Sequence, residues 1–362
     1  MKDALSLQSA FLSEAGSSLR VEGKVVILLG GDARQVAVIR ALVGAGYTVC
    51  AAGLCGARGL PGGVRLCGSL SACLRAAEET GTPDAWFLLL PLPVSRDGET
   101  VHCPLDPTAH IKLSDVLDIM ESVPGAHLLG GCLPAGFRAS LVDRLGEEAV
   151  RGRVVDYYTL ETVQIPNARI TAEAAVMTAM ELTDTTLLGS RMAVIGYGRI
   201  GQFLARLLLS LGSSVTVCAR REESLAFARG DGCTSLSMPD HTEKRGGSAL
   251  LALAHGYDVI FNTVPAAVLD RQMLEETDPH TLILDLASAP GGVDPEAAAL
   301  LASGGGNETS DCQADVPDRL SALPWSACLR IVRAPSLPGR YAPATAGQVL
   351  ADAILPLIAG EG

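Results

Sequence analysis

The sequence is short of the residues on which most nucleic-acid-binding and membrane proteins depend. Only 4% of its 362 residues are aromatic, and 40 acidic side chains against 28 basic ones leave a formal net charge of −12. Few stacking rings and an acidic balance argue against a nucleic-acid partner. The longest apolar runs, 85–92 and 349–359, are too short or too interrupted to span a bilayer, and residues 1–23 lack the basic start and apolar core of a secretory signal. We therefore expect a cytoplasmic protein without membrane or nucleic-acid partners.

The chain also lacks cysteine spacing suited to a metal. Ten cysteines are present, but no C-x-x-C pair occurs. Cys50 and Cys55 have four residues between them, with no second pair or histidine nearby. Scattered cysteines in a chain of this size are typical of reduced, mostly buried thiols. The sequence therefore predicts no bound metal, and zinc is the disfavoured alternative.

What the sequence does have is a regular alternation of short apolar runs and helical patterns from Lys24 to the end. This alternation is typical of βαβ units and parallel sheets. We predict an α/β protein with two Rossmann-like, doubly wound parallel-sheet domains and a cleft between them. The predicted strands are Val25–Leu29, Thr48–Ala51, Ala85–Leu90, His127–Leu129 and Val154–Tyr157 in the first half, and Met192–Ile195, Ser214–Cys218, Val259–Asn262, Leu282–Asp285 and Leu329–Val332 in the second.

These elements divide the chain into five predicted segments. They are an N-terminal extension (1–23), a Rossmann-like substrate or partner domain (24–165), an interdomain helix (166–189), a cofactor-binding Rossmann domain (190–332) and a C-terminal segment that returns to the first domain (333–362). Pro166 and Asn167 are predicted to open a helix over Arg169–Asp184. The Gly-, Asn- and Asp-rich stretch Ser303–Arg319 predicts a flexible loop, and a last helix is expected over Thr345–Ile358.

The clearest motif is Gly196-Tyr197-Gly198-Arg199-Ile200-Gly201, which follows a predicted strand and opens a predicted helix. In a dinucleotide site the first glycine allows a tight turn, the second lets the backbone approach a pyrophosphate, and the third lets helix and strand pack closely. The free N–H groups at the helix start favour the phosphates. A structural tight turn is the alternative. The flanking strand, the helix and a second strand at the right distance favour cofactor binding.

The end of that second strand predicts which dinucleotide binds. NAD-binding domains place Asp or Glu about 20 residues after the glycines to hold the ribose 2′-hydroxyl. Here Arg220 and Arg221 occupy the position, and no carboxylate occurs before Glu222. An arginine can pair with a 2′-phosphate, which a carboxylate would repel. We therefore predict NADP, with a solvated helix start as the alternative.

Two further turns follow predicted strands of the second half, where ligands bind in such sheets. We expect them to border the nicotinamide ring, with buried turn residues as the alternative, a choice that stays open for Asp285. The residues are Asn262, Thr263, Val264 and Pro265 in the first turn, and Asp285 and Ser288 in the second.

The first half offers candidates for an anionic substrate. Its turn at 30–35 lacks the third glycine, and Arg34 would point into the space of a pyrophosphate, so we predict a carboxylate site instead; an exposed helix-start arginine is equally compatible. Ser95 and Arg96, after a buried strand, supply a donor and a cation, or else belong to a solvated loop.

Glu173, in an apolar stretch of the interdomain helix, is a candidate acid–base group or a helix-surface residue.

Together these motifs resemble the A-type family of dipicolinate synthase polypeptides in spore-forming bacteria. The segments that carry the resemblance are Gly-Gly-Asp-Ala-Arg-Gln at 30–35, Leu-Pro-Leu-Pro-Val-Ser at 90–95, the glycine motif at 196–201, Asn-Thr-Val-Pro at 262–265, Asp-Leu-Ala-Ser-Ala-Pro-Gly-Gly at 285–292, Leu-Pro-Gly at 337–339 and Thr-Ala-Gly-Gln at 345–348. The chain departs from the pattern at Arg340, at Ala344 and in a longer loop around 303–324.

The resemblance implies an activity that residue spacing alone does not. The family oxidises dihydrodipicolinate, a product of the lysine pathway, to dipicolinate with NADP⁺ during sporulation, together with a B subunit in the mother-cell cytoplasm. Such a site needs NADP⁺, cations for two carboxylates and a modest base.

Two alternatives stay open. A two-domain hydroxyacid or amino-acid dehydrogenase is the first, although hydroxyacid enzymes use a late histidine and the last one here is His280. A non-catalytic NADP(H)-binding regulatory subunit is the second. The sequence is also compatible with a homo-oligomer.

Overall fold

The computed structural model describes residues 24–80, 86–238, 250–288, 290–294, 308–311 and 329–360. The chain divides into two compact units, unit 1 with residues 1–163 and 347–362, and unit 2 with residues 164–346. Each unit is built on one parallel sheet with helices on both faces. The predicted fold class of two Rossmann-like α/β domains is confirmed.

Unit 1 contains a six-stranded sheet in the order β3-β2-β1-β4-β5-β6, with every neighbouring pair parallel. Its strands are β1 (Val25–Leu29), β2 (Thr48–Ala52), β3 (Val64–Cys67), β4 (Trp86–Leu89), β5 (His127–Gly130) and β6 (Val154–Asp156). The direction of strand addition reverses between β1 and β4. Ligands of open α/β sheets bind outside the carboxyl ends of the strands at such a switch point.

The apolar strands of unit 1 are buried on both faces, as continuous hydrophobic runs in parallel sheets require. Val25, Ile27 and Leu29 of β1 face one core, and Val26 and Leu28 face the other. The helices of this unit are α1 (Arg34–Gly44), α2 (Leu70–Glu78), α3 (Leu113–Ser122), α4 (Ala135–Leu145) and α5 (Glu147–Arg153).

Unit 2 contains a seven-stranded sheet in the order β12-β13-β11-β10-β7-β8-β9, again with parallel pairs throughout. Its strands are β7 (Arg191–Ile195), β8 (Ser214–Ala219), β9 (Thr234–Ser237), β10 (Val259–Asn262), β11 (Leu282–Asp285), β12 (Glu308–Asp311) and β13 (Arg330–Arg333). The switch point of this sheet lies between β7 and β10.

The remaining helices are α6 (Glu161–Leu182), α7 (Arg199–Ser210), α8 (Glu222–Gly230), α9 (Arg271–Glu276), α10 (Leu337–Tyr341) and α11 (Pro343–Ala359). The residue ranges of α6 and α11 cross the divisions between the units. The carboxyl-terminal half of α11 packs into the unit 1 core through Leu350, Ile354 and Ile358. Lys24 closes the end of this helix, because its Nζ donates a hydrogen bond to the Ile358 carbonyl at 2.8 Å.

Two sequence-based expectations about these elements are wrong. Helix α6 begins at Glu161, before Pro166, which lies inside it. Val163 is fully buried in the unit 1 core, so tertiary packing holds the first turn and outweighs the helix-breaking signal. The stretch 303–319 is not only a loop, since Glu308–Asp311 pairs in parallel with β13. Its other residues, like the extension 1–23, lie outside the described residues.

Candidate functional site

The glycine loop of unit 2 connects β7 to α7 at the switch point. Gly196 has a φ of +94°, and a Cβ there would lie 2.9 Å from Val264 Cγ2. A Cβ at Gly201 would overlap the Gly196 carbonyl oxygen. Both positions therefore need glycine for the turn itself and for the close approach of helix and strand.

Gly198 differs from its two neighbours, because a Cβ there would meet nothing within 4 Å. It is the N-cap residue of α7, and no side chain caps the helix. The first N–H groups of α7 lie at the positive end of the helix dipole, beside this open position. These features fit a pyrophosphate bound through backbone amides.

The other residues of the loop contribute mainly through their backbone. Tyr197 is buried, and its hydroxyl donates to the Asp231 carboxylate, which also accepts from Arg206 Nε at 2.9 Å. Burial and the neighbouring Asp231 raise the pKa of Tyr197 well above its usual range. Arg199 is exposed at the helix start, and Ile200 packs against the core. The tyrosine ring therefore anchors the loop and leaves its backbone for a ligand.

Arg220 and Arg221 lie directly after β8, where both are exposed. The first acid of α8, Glu222, accepts a hydrogen bond from Arg229 Nη2 at 2.5 Å. Within the described part of the chain, no acidic partner is found for either Arg220 or Arg221. The end of β8 thus presents two exposed arginines, which suit a phosphate ester.

The turns after β10 and β11 are held together by two fully buried side chains. Asn262 donates from Nδ2 to Asp285 Oδ1 at 2.8 Å, and Asp285 Oδ2 accepts from the Gly292 amide at 2.9 Å. Both residues are at most 1% exposed. Both side chains therefore hold the two turns from inside the core, as the buried-turn alternative expects. Within the two turns, the partly or fully exposed candidates are Thr263, Val264, Pro265 and Ser288.

The corresponding crevice of unit 1 is filled by its own chain. The Gly31 amide donates to the His102 carbonyl oxygen at 2.8 Å. A Cβ at Gly30 or Gly53 would lie 2.7 and 2.9 Å, respectively, from Cys103 Sγ. Residues 101–103 thus lie across the carboxyl ends of β1 and β2, where a dinucleotide would need access to the glycine turn.

Arg34 begins α1 but is buried, at 6% exposure, so the alternative of an exposed helix-start arginine is wrong. Its guanidinium forms a two-point ion pair with Asp32, with Nε 2.9 Å from Oδ1 and Nη2 2.7 Å from Oδ2. It also donates to the carbonyl oxygen of Leu92, in the loop after β4. A substrate carboxylate would have to share this guanidinium with Asp32.

Ser95 uses its hydroxyl within its own loop. Its Oγ donates to Asp97 Oδ1 at 2.8 Å and accepts from the Gly98 amide at 2.9 Å. Asp97 also accepts from Thr100 Oγ1 at 2.6 Å, and this hydrogen bond is the largest cause of the lowered pKa of Asp97. Ser95 therefore shapes the loop that carries Arg96, and its proton is already engaged.

Arg96 brings in a residue that the sequence reasoning missed. Its Nε donates to His102 Nε2 at 3.2 Å. Burial and then the charge of Arg96 lower the pKa of the histidine. The one available signal was a histidine seven residues after Ser95 in the same loop, which in sequence alone is not distinguished from the exposed His110.

Glu173 lies in the part of α6 that belongs to unit 2, and its side chain is exposed. Its neighbours Ala172, Ala174 and Ala175 are buried, so Glu173 projects from the solvent side of the helix. The structure thus agrees with the helix-surface alternative. Among the described residues, no hydrogen bond or ion pair to the Glu173 carboxylate is found.

The described residues show no metal-like cluster and no membrane-spanning element. No group of three or more His, Cys, Asp or Glu side chains in them is arranged to hold a metal ion. All eight described cysteines are free. No described helix combines the length and apolar character needed to cross a membrane.

Two Rossmann-like units, one of which has a glycine loop that is open at Gly198, give the chain the fold of two-domain dehydrogenases. Residues 25–141 match the family model for the N-terminal domain of the dipicolinate synthase A subunit. The A subunit of dipicolinate synthase from Bacillus subtilis is 29% identical over 338 residues, which cover 93% of this chain and 96% of that protein.

Solved structures agree with this relationship. The crystal structure of the B. subtilis A subunit is 25% identical with a TM-score of 0.71, covering 96% of this chain and all of that one. The corresponding crystal structure from Bacillus halodurans is 25% identical with a TM-score of 0.70, covering 94% and 99%. The resemblance carried by the motifs is thus confirmed, and the chain is similar to the dipicolinate synthase A subunits over most of its length.

Proposed function

We propose that this chain is the component that oxidises dihydrodipicolinate to dipicolinate with NADP⁺, acting with a B subunit. The observation that carries the proposal is the open, uncapped start of α7 followed by arginines at the end of β8, in a relative of the dipicolinate synthase A subunits. Bound there, NADP⁺ would accept a hydride from the substrate.

Each part of the cofactor has candidate partners in unit 2. The amides around Gly198 and Arg199 would hold the pyrophosphate, and Arg220 and Arg221 would hold the 2′-phosphate. The exposed ends of the turns after β10 and β11 would border the nicotinamide. Asn262 and Asp285 support these turns from inside the core.

The substrate is a dianion in a chain of net charge −12, so its site needs local cations. Arg34 and Arg96 both lie at the switch point of unit 1 and both act on His102, lowering its pKa. We assign the two arginines to the substrate carboxylates, with Ser95 holding the loop of Arg96. Two carboxylate contacts would fix the position of the substrate ring, and such positioning would supply much of the rate.

One observation favours a second candidate, a non-catalytic NADP(H)-binding regulatory subunit. Arg34 is already paired with Asp32 inside the unit, so half of the proposed clamp has an internal partner. A carboxylate must then compete for a guanidinium that is satisfied without it.

Turnover separates the two candidates. The chain, its B partner, NADP⁺ and freshly generated dihydrodipicolinate are mixed, and NADPH and pyridine absorbance are followed. We expect Arg96→Ala and Arg34→Lys to lose most activity while still binding NADPH. The alanine removes one cation, and the lysine keeps the charge but cannot make a two-point contact with a carboxylate. Arg138→Ala, at an exposed arginine of α4 in the same unit, serves as the control and should stay active.

Full activity in both clamp variants would remove the assignment of the two arginines. A wild-type pair that binds NADPH but shows no turnover would favour the regulatory candidate.

A further inference from the structure

His102 is held at the switch point of unit 1 by its own backbone. Its amide donates to the Val94 carbonyl at 2.9 Å, and its carbonyl accepts from Gly31 at 2.8 Å. These two bonds tie the residue to the loop after β4 and to the glycine turn after β1. The backbone of His102 is therefore fixed where the two strands of the switch point end.

The contact with Arg96 defines the protonation state of the ring. A guanidinium has only donors, so His102 Nε2, 3.2 Å from Arg96 Nε, must accept. The imidazole is thus neutral, with its proton on Nδ1. An imidazolium at this distance would place two cations in contact, which is unfavourable.

The surroundings favour the same neutral form. Burial is the largest cause of the lowered pKa of His102, and Arg96 comes next. Asp32 and Asp97 act in the opposite direction, while Arg34 adds to the lowering. A half-buried imidazole that is neutral near pH 7, with its lone pair towards an exposed cation, has the properties of a general base.

We propose that His102 is the catalytic residue that accepts the ring proton of the dicarboxylate, an inference that rests on the function proposed above. The oxidation removes two hydrogens from the dihydropyridine ring. One carbon–hydrogen bond breaks with its electron pair, and the hydride passes to NADP⁺. The other breaks as a proton is bound by His102 Nε2, its electron pair completes the aromatic ring, and the imidazolium later releases the proton to water.

Arg96 links binding to this step. When its guanidinium turns to a substrate carboxylate, it leaves the Nε2 lone pair open on the side where the substrate lies. The dianion also favours the imidazolium that forms, since opposite charges raise the pKa of the acceptor. Glu173 does not meet these conditions, because it is exposed and has no such partner among the described residues.

The test is the variant His102→Gln, in which the amide oxygen can accept the Arg96 hydrogen bond but cannot take up a proton. We expect kcat to fall by about 10²–10⁴-fold, with KM and NADPH affinity changed by less than about threefold. The wild-type kcat should rise with pH as the histidine loses its proton, and this limb should disappear in the variant. His110→Gln, at the exposed histidine of the same loop, should behave as wild type.

A second measurement does not depend on turnover. Calorimetry in buffers of different ionisation enthalpy reports the protons taken up when dipicolinate, the stable product, binds. We expect uptake in the wild type and less in His102→Gln and His102→Asn, each checked for native thermal unfolding.

The outcomes are distinct. If the wild type is active and His102→Gln is equally active, or if kcat of the variant still rises with pH as in the wild type, the role of His102 is overturned. The proposed function then stands. If the wild type shows no turnover, the proposed function and the base role are overturned together. Proton uptake would then show only that the dicarboxylate binds beside His102.

Discussion

At the residue scale, the glycines of the loop between β7 and α7 have separable tasks. Gly198→Ala should leave the free energy of unfolding within about 0.5 kcal/mol, because its Cβ meets nothing within 4 Å and its φ of −81° suits any residue. The methyl group would instead obstruct the pyrophosphate. We expect NADPH affinity, measured by fluorescence titration, to fall at least tenfold.

Gly201→Ala provides the contrast, since its Cβ would overlap the Gly196 carbonyl oxygen. In a urea titration, the free energy of unfolding of that variant should fall by about 1–3 kcal/mol because of the overpacking. Its affinity for NADPH should fall as well. Gly136→Ala, on the open surface of α4, should change neither property. Unchanged NADPH binding in Gly198→Ala would argue that the dinucleotide lies elsewhere.

The arginine after β8 carries the second prediction at this scale. Arg220→Ala should weaken NADPH binding by about 1.5–3 kcal/mol, the contribution of a charge-assisted contact to the 2′-phosphate. NADH lacks this phosphate, so its affinity should not change in the same variant and serves as the control. Titration of both nucleotides checks the point. Tighter binding of NADH than of NADPH by the wild type would contradict the assignment to NADP.

At the scale of elements, α11 comes close to the backbone of α1 at Gly347. A Cβ at Gly347 would overlap the Arg34 carbonyl oxygen and lie 2.8 Å from Ala37 Cβ. Alanine normally improves a helix interior by up to about 1 kcal/mol over glycine. Here the backbone oxygen cannot move aside easily, so Gly347→Ala should lower the free energy of unfolding by about 1–3 kcal/mol.

Gly44→Ala is the matched control, because Gly44 ends α1 on the exposed side with nothing within 4 Å of its Cβ. It should be neutral or slightly stabilising in the same urea titration. Equal stability of the two variants would mean that α11 and α1 separate at little cost.

The elements also show which features a sequence can predict. β1, β10 and β11 have the predicted bounds, since each is a continuous apolar run buried on both faces. The edge strands β3 and β9 were missed, because they are short, partly exposed and lack such a run. Their register comes from neighbouring strands and not from their own pattern.

The candidate site divides in the same way. The glycine loop and Arg220 were predicted because their chemistry is local, with each residue placed by the strand directly before it. The pairing of Arg34 with Asp32 and the position of His102 depend on a loop that folds back over the end of β1. Such a contact between separate strand ends leaves no periodic signal in the sequence.

At the scale of the whole molecule, two sheets of related strand order are used differently. In both, the first three strands are added outward and the fourth returns to the other side of the first. Unit 2 leaves its glycine loop open at Gly198, while unit 1 covers its turn with residues 101–103. From this difference we expect a dinucleotide to bind to unit 2 and not to unit 1.

This difference predicts the cofactor stoichiometry. A second dinucleotide in unit 1 would need the Gly31 amide, which already donates to the His102 carbonyl at 2.8 Å, and space that Cys103 Sγ occupies beside Gly30. Breaking that packing to admit a pyrophosphate would expose the buried Val101 and remove the hydrogen bond to the His102 carbonyl, at a cost of about 1–3 kcal/mol. Calorimetry should therefore find one NADPH per chain, and Gly198→Ala should weaken that single site. Two equivalents per chain, with one unaffected by Gly198→Ala, would show that unit 1 opens its turn to a nucleotide after all.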